Sequence, residues 1–200
     1  MPLSITLTDY GVGNLYSIRR SLENCGAEVV TVRDMRDVLD AECVVFPGVG
    51  AFDKTMEKLQ PYREDIRERL LSGTPALGIC IGMQIMFGSS AEGTTPGLGV
   101  FDGDVVPLTG RVVPHMGWNQ VVSDDPLMED VGDNNFYFAH SYRGNPAEDI
   151  TIGTTEYEGA EIPTFFRKAN TYGTQFHPEK SSTSGMAVLR NFIAFAESVL

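Results

Sequence analysis

The sequence predicts an α/β fold: a mostly parallel open sheet flanked by helices, with an added antiparallel or mixed strand region in the second half. Three observations predict it. β-rich and helical segments alternate from the N-terminus to about Gly93. The strand candidates in that stretch are near-continuous apolar runs, the pattern of strands covered on both faces. Beyond Gly93, short strand candidates follow one another directly, divided by Gly, Pro and Asp turns.

Taken in order, Ile5 to Thr8 is a β-rich run closed by Asp9, Gly11 and Gly13. Leu15, Ile18 and Leu22 then recur at helical spacing, and Gly26 ends the helix. Glu28 to Val32 and Cys43 to Phe46 are the second and third strands. Phe52 to Ser72 has helical periodicity with Arg and Glu on its wet face, interrupted at Pro61. Pro75 to Ile79 is a fourth, buried strand and Ile81 to Phe87 a helix after it. The second half offers Val100–Val106, Arg111–Val113, Asn119–Val122, Phe136–Phe138, Ile150–Gly153 and Phe165–Arg167 as short strands. Tyr172–Phe176 is the last strand, and Met186–Leu200 an amphipathic closing helix. No repeat, linker or low-complexity tract divides the chain, so residues 1–200 are expected to form one domain.

Composition narrows the class of function. Hydrophobic residues make up 42% of the chain and charged ones 21%, the balance of a soluble globular protein. A net charge of −12 repels nucleic acid and anionic membranes, so neither is expected as a partner. The 22 residues from Leu70 to Ala91 carry no charge, nominally enough for a bilayer, which takes roughly 20. Gly73, Pro75, Gly78, Gly82, Gln84 and Gly88 break that run into turn, strand, turn and helix. The opening residues MPLSITLTDY lack a basic segment and a long apolar run, so no signal peptide is expected. Three cysteines, Cys25, Cys43 and Cys80, lack paired spacing; a reducing cytoplasm is expected, with no disulfide framework. No His, Cys or Asp cluster has metal-ligand spacing, and no P-loop is present, so neither metal nor cofactor is expected.

One motif carries nucleophile chemistry. Gly78-Ile79-Cys80-Ile81-Gly82 follows a buried strand and opens a helix, the cysteine form of the nucleophile elbow. A sharp strand-to-helix turn needs small neighbours two positions either side, and glycine leaves that room. The turn lifts the Cys80 sulfur out of the sheet beside a helix N-terminus, whose dipole favours a thiolate. Ile81 N–H is then free to face a developing oxyanion. A buried structural cysteine is the ordinary alternative, and it is the reading adopted for Cys25 and Cys43.

His177 is the candidate base. It stands in Gln175-Phe176-His177-Pro178-Glu179-Lys180, directly after an apolar strand. Residues two apart in extended chain face the same way, so Glu179 can orient the imidazole. Nucleophile, base and orienting carboxylate then run in the order Cys, His, Glu. A third element, Pro47-Gly48-Val49-Gly50-Ala51, leaves a strand at the carboxyl edge, where open α/β sheets bind ligands. The Val49 or Gly50 N–H can there point at a substrate carbonyl near Cys80.

These segments, with Asp9-Tyr10-Gly11-Val12-Gly13-Asn14-Leu15, Pro114-His115-Met116-Gly117-Trp118-Asn119 and Phe138-Ala139-His140-Ser141-Tyr142, resemble the class I glutamine amidotransferases, the triad glutaminases. The match runs from residue 9 to 181, with Ala139 where a β-branched residue is common. The resemblance implies that the substrate is glutamine and that Cys80, His177 and Glu179 are the triad. It implies Gly50, Gln84 and the His140–Ser141–Tyr142 backbone around bound glutamine. The G-V-G-N-L and P-H-M-G-W-N segments single out a branch whose partner is a (βα)8-barrel cyclase, and Asn14, Met116, Trp118 and Lys180 match positions facing that partner or an ammonia path. Trp118 would by default be a core anchor, and His115 and His140 hydrogen-bonded structural residues. Two rival readings of the same motifs are a glutaminase feeding a different synthase, such as that of pyridoxal phosphate or guanylate, and a cysteine hydrolase on a related fold.

Overall fold

The structure is a computed structural model that describes residues 1–11 and 15–200. Its centre is a seven-stranded sheet. The strands are β1 (Ser4–Thr8), β2 (Glu28–Val32), β3 (Cys43–Phe46), β4 (Ala76–Ile79), β10 (Thr151–Tyr157), β11 (Ala160–Lys168) and β12 (Thr171–Thr174), in the spatial order β10-β11-β12-β4-β3-β1-β2. From β12 to β2 every pair is parallel, while β10, β11 and β12 pair antiparallel.

Burial explains the composition of each strand. β3, β4 and β12 are buried along their whole length, because helices cover both faces of the central sheet. β2 lies at the edge and buries only Val29 and Val32. On one face α1 (Tyr16–Asn24) brings Ile18 and Leu22, and α5 (Ser182–Val199) brings Val188, Leu189 and Phe192, against Ile5, Leu7 and Leu77. On the other, α2 (Phe52–Leu59) and α3 (Arg63–Leu71) set Phe52, Met56, Ile66 and Leu70 against Val44 and Phe46. Pro61 separates α2 from α3 through a 3-10 turn at Gln60–Tyr62, as its missing N–H requires. Among the described residues no helix is long and apolar enough to cross a membrane.

The second half is mixed, as its turn-rich texture predicts. A three-stranded sheet pairs β5 (Phe87–Ser90), β6 (Phe101–Pro107) and β9 (Tyr142–Pro146), and β7 (His115–Gln120) pairs antiparallel with β8 (Asn135–His140). Three expectations need correction. Arg111–Val113 forms no strand; Val112 and Val113 are exposed, with nothing apolar to cover them. Asn119–Val122 is displaced, since β7 begins at His115 and Val122 only bridges Thr154. The helix expected over Ile81–Phe87 is the four-residue α4 (Ile81–Gln84), because Phe87 already belongs to β5.

Strand register places the site. Phe46 of β3 lies level with Gly78 of β4, and Ile79 of β4 with Thr174 of β12. The segments leaving these strands, Pro47–Ala51, Cys80 and Gln175–His177, therefore emerge side by side at one carboxyl rim.

Candidate active site

Cys80 occupies a backbone conformation that side-chain-bearing residues rarely adopt, φ 50° and ψ −107°. Such a conformation costs on the order of 1–3 kcal/mol and persists only where its surroundings enforce it. The surroundings do so here. Cys80 N–H donates to Thr174 O at 2.7 Å, and the flanking glycines allow a closeness that no side chain permits. A Cβ on Gly78 would come within 2.4 Å of Gly82 O, and one on Gly82 within 2.0 Å of Phe46 O. The G-x-C-x-G spacing is thus a packing requirement of the turn. Ile81 opens α4, so its N–H has no acceptor within the helix. With only four residues, that helix contributes a local pair of N–H groups rather than a long dipole.

His177 reaches the same place from β12. Its N–H donates to Tyr137 O at 2.9 Å, which ties it to β8, and Ser181 Oγ donates to its carbonyl at 2.6 Å. Glu179 faces the ring because Pro178–Lys180 folds into a 3-10 turn, a tighter geometry than the extended i,i+2 relation expected from sequence. Its Oε1 lies 2.8 Å from His177 Nδ1, with both side chains buried. Held at Nδ1, the ring has Nε2 left to serve Cys80, whose side chain is among the groups that raise the His177 pKa. Burial, the largest single influence, disfavours the imidazolium. The hydrogen bonds to Cys80 and Glu179 and the negative charge on both outweigh it and raise the His177 pKa to about 9.

A cavity of about 160 Å3 opens at the sulfur, walled by Gly50, Cys80, Ile81, Gln84, Glu92, Ala139, His140, Ser141 and Tyr142. Val49 is partly buried beside it and does not contribute to the wall. Gly50 sits at φ 104°, and the Gly48 α-carbon faces the His177 ring so closely that a Cβ would lie 2.7 Å from Cε1. The Gln84 amide nitrogen donates to Tyr142 O at 3.0 Å and to Gln175 Oε1 at 3.3 Å. Both its hydrogens are committed, so Gln84 can offer a ligand only its carbonyl oxygen.

His140 and His115 form a buried pair, Nε2 to Nδ1 at 3.1 Å, and His140 Nδ1 bonds Tyr142 O at 2.8 Å. Burial drives both pKa values down to about 4. For His140 the Tyr142 carbonyl opposes that shift, while charge on His115 and His177 adds to it. Both stay neutral at physiological pH. Away from the cavity, Met116 (64% exposed) and Trp118 (56%) project from β7 into solvent, so Trp118 is a surface residue and no core anchor. Its only described ring neighbour is Tyr137, edge-on at 6.2 Å. Lys180 is exposed too, and Asn14 lies outside the described residues.

Sequence reading missed two residues of the site. Glu92 is the one carboxylate in the cavity wall, and its Oε2 accepts from Phe52 N–H at 3.3 Å. It lies in a turn that no motif marks. Gln175 donates to Cys80 Sγ at 3.6 Å, although the sequence singled out only its neighbours.

A buried thiol on an elbow of positive φ, an imidazole paired to a carboxylate, and a small cavity opening at the sulfur form an arrangement suited to cysteine hydrolase chemistry. The family described as Glutamine amidotransferase class-I matches residues 6–195, and the chain belongs to it. It is an enzyme acting on the side-chain amide of glutamine. Its similar proteins include imidazole glycerol phosphate synthase subunit HisH of Thermococcus kodakarensis, 44% identical over 94% of this chain and 98% of that protein. The subunits of the same name from Methanothermobacter thermautotrophicus (94% and 97% covered) and Natronomonas pharaonis (96% and 94%) are each 42% identical. Among solved structures, a glutamine amidotransferase superposes with TM-score 0.77 at 16% identity, covering 96% of this chain and 98% of that one. A chain of the PurLQS structure from Thermotoga maritima gives 0.72 at 17%, covering 98% and 99%. These two likenesses show the shared fold.

Proposed function

We propose that Cys80, His177 and Glu179 perform the glutaminase half-reaction of imidazole glycerol phosphate synthase, in one domain spanning residues 1–200 and in the cytoplasm. The observation that carries the residue assignment is the His177 imidazole, bonded to Glu179 at 2.8 Å on one side and raised in pKa by the Cys80 side chain on the other. The chain is the glutaminase subunit of that synthase, in keeping with its HisH relatives.

In the first step the Cys80 thiolate attacks the δ-carbonyl of glutamine, and the new oxyanion takes a hydrogen bond from Ile81 N–H. His177, protonated, gives its proton to the leaving nitrogen, and ammonia departs from a thioester. The neutral imidazole then removes a proton from water, which attacks the thioester and frees glutamate and the thiolate. Glu179 holds the ring in the tautomer that both transfers need. Gly50 and the His140–Ser141–Tyr142 backbone border the substrate, and Gln84 accepts one of its N–H groups.

Glu92 supplies the counter-charge for the substrate α-ammonium. Glu92→Gln keeps an oxygen for Phe52 N–H and removes the charge. Its KM for glutamine is expected to rise roughly 10- to 100-fold, the loss of one charge-assisted hydrogen bond, with kcat changed far less. Steady-state kinetics checks it; an unchanged KM excludes that contact.

The partner is a (βα)8-barrel cyclase bound as a heterodimer over the face that carries Met116, Trp118 and Lys180, with Asn14 assigned there on sequence grounds. Ammonia is mostly protonated in neutral water and then no nucleophile, so delivery through a closed path to the cyclase is chemically useful. In the free chain Gly50 and Val49 hold their N–H groups on a glycine-rich strip that has more than one accessible conformation. If the competent orientation is populated at about 1%, partner binding has room for an increase of about a hundredfold. The test is glutamine hydrolysis by the chain alone and with the cyclase and its nucleotide ligand. Full turnover alone, unchanged on adding both, rejects the coupling.

A further inference from the structure

We infer that Gln175 is a further catalytic residue: its side-chain amide donates a hydrogen bond to the Cys80 sulfur and holds it as a thiolate. The inference rests on the assignment of Cys80 as nucleophile. It follows from a chain of buried hydrogen bonds whose direction is set by a single carbonyl.

Tyr142 O can only accept. Two groups converge on it, His140 Nδ1 at 2.8 Å and Gln84 Nε2 at 3.0 Å, so both are donors. Because His140 Nδ1 carries the proton, the neutral ring's Nε2 accepts, and His115 Nδ1 at 3.1 Å must donate to it. On the other branch, Gln84 Nε2 also lies 3.3 Å from the Gln175 side chain. A second nitrogen there would set donor against donor, so the Gln175 oxygen faces Gln84. The opposite end of the same amide, Nε2, then points at Cys80 Sγ, 3.6 Å away. Rotating the Gln175 amide would break both contacts at once, out of reach of bulk solvent, since Gln175 is fully buried and Gln84 is 3% exposed.

The consequence concerns charge. A thiolate accepts hydrogen bonds far better than a thiol donates or accepts them, so a fixed N–H favours the ionised sulfur. His177 supplies the mobile proton and Gln175 a donor that never leaves. As a thiol the sulfur also donates to Ala139 O at 3.9 Å, a contact that ionisation removes, so through both steps of the reaction, while the imidazole switches between acid and base, Gln175 is the partner that the ionised sulfur keeps. The backbone supports that constancy: Gln175 N–H donates to Thr164 O at 2.8 Å, which continues the β12 pairing.

The test is the pH profile of alkylation of Cys80 by iodoacetamide, with the site of labelling read by mass spectrometry. It is run on the full chain and on Gln175→Met, which keeps volume and apolar packing but removes the donor. The midpoint of the variant is expected about one pH unit above that of the unmodified chain, as the loss of one hydrogen bond to a charged group implies. A folded variant with an unmoved midpoint overturns the inference. If Q175M does not fold, the wild-type side-chain amides labelled with 15N decide. A Gln175 Nε2–H resonance that moves with the alkylation midpoint supports the contact, and one that stays still across it overturns it. A Cys80 that takes no label at any pH overturns the nucleophile assignment itself, and this inference with it.

Discussion

Cys80→Ala is expected to lower glutamine turnover on the order of 10^5-fold while leaving the protein folded and able to bind glutamine. The size follows from removing a covalent nucleophile, after which only binding and oxyanion contacts remain to assist water. Folding is expected to survive because alanine fits the space at position 80. It meets the same unfavourable φ of 50° that cysteine already tolerates, and the Gly78–Gly82 contact that forces the turn is untouched. Measured turnover, far-UV circular dichroism and calorimetric glutamine binding together check the expectation. Hydrolysis at even a tenth of the wild-type rate would remove Cys80 from the mechanism.

The second large effect is on stability. His140 is held neutral inside the protein, with its pKa driven down to about 4 by burial. In the unfolded chain a histidine titrates near 6.5. A folded pKa below the unfolded one means that, as pH falls from about 6.5 to about 4, the unfolded state takes up a proton that the folded state refuses. Stability is lost over that window, by roughly 3 kcal/mol for a shift of this size. His115, buried and stacked between Phe138 and Tyr157, shifts the same way, again by burial, and adds to the loss with the same sign.

His177 has the opposite sign. Its folded pKa of about 9 lies above the unfolded value, so its stabilisation is complete below about 6.5 and is lost as pH rises through about 9. The three histidines together place maximum stability near pH 6.5. Urea unfolding across pH 4 to 9 measures the curve, and proton NMR of the imidazoles assigns it. Two rings should stay neutral down to about pH 5 and one should titrate near 9. Three rings titrating together near 6.5 would refute the arrangement.

Much of this site was legible in the chain before any coordinates. The first four strands are short apolar runs bounded by Gly, Pro or Asp, and such runs have one reading when helices alternate with them. The elbow was legible because Gly78, Cys80 and Gly82 each answer a steric demand that few other residues meet. What stayed hidden has physical causes. Phe87–Ser90 and Tyr142–Pro146 became strands through pairing with Phe101–Pro107, a partner distant in sequence, and they contain Gly88, Gly144 and Pro146, which argue locally against strand. A Gly144 side chain would strike Phe87 and Phe166, so that glycine serves packing between sheets, which no local pattern announces. Glu92 looks like any surface glutamate until the cavity wall closes around it. Gln175 is a polar residue just past β12, and its contact with Cys80 exists because β12 and β4 run side by side.

The contact between Gly48 and the His177 ring has a consequence for how such an enzyme can be switched. At Gly48 the peptide strip packs directly against the proton carrier, so the two share one wall of the site. A movement of the strip that carries the Gly48 α-carbon with it therefore also presses on the proton carrier, and any side chain at position 48 would push the imidazole from its place.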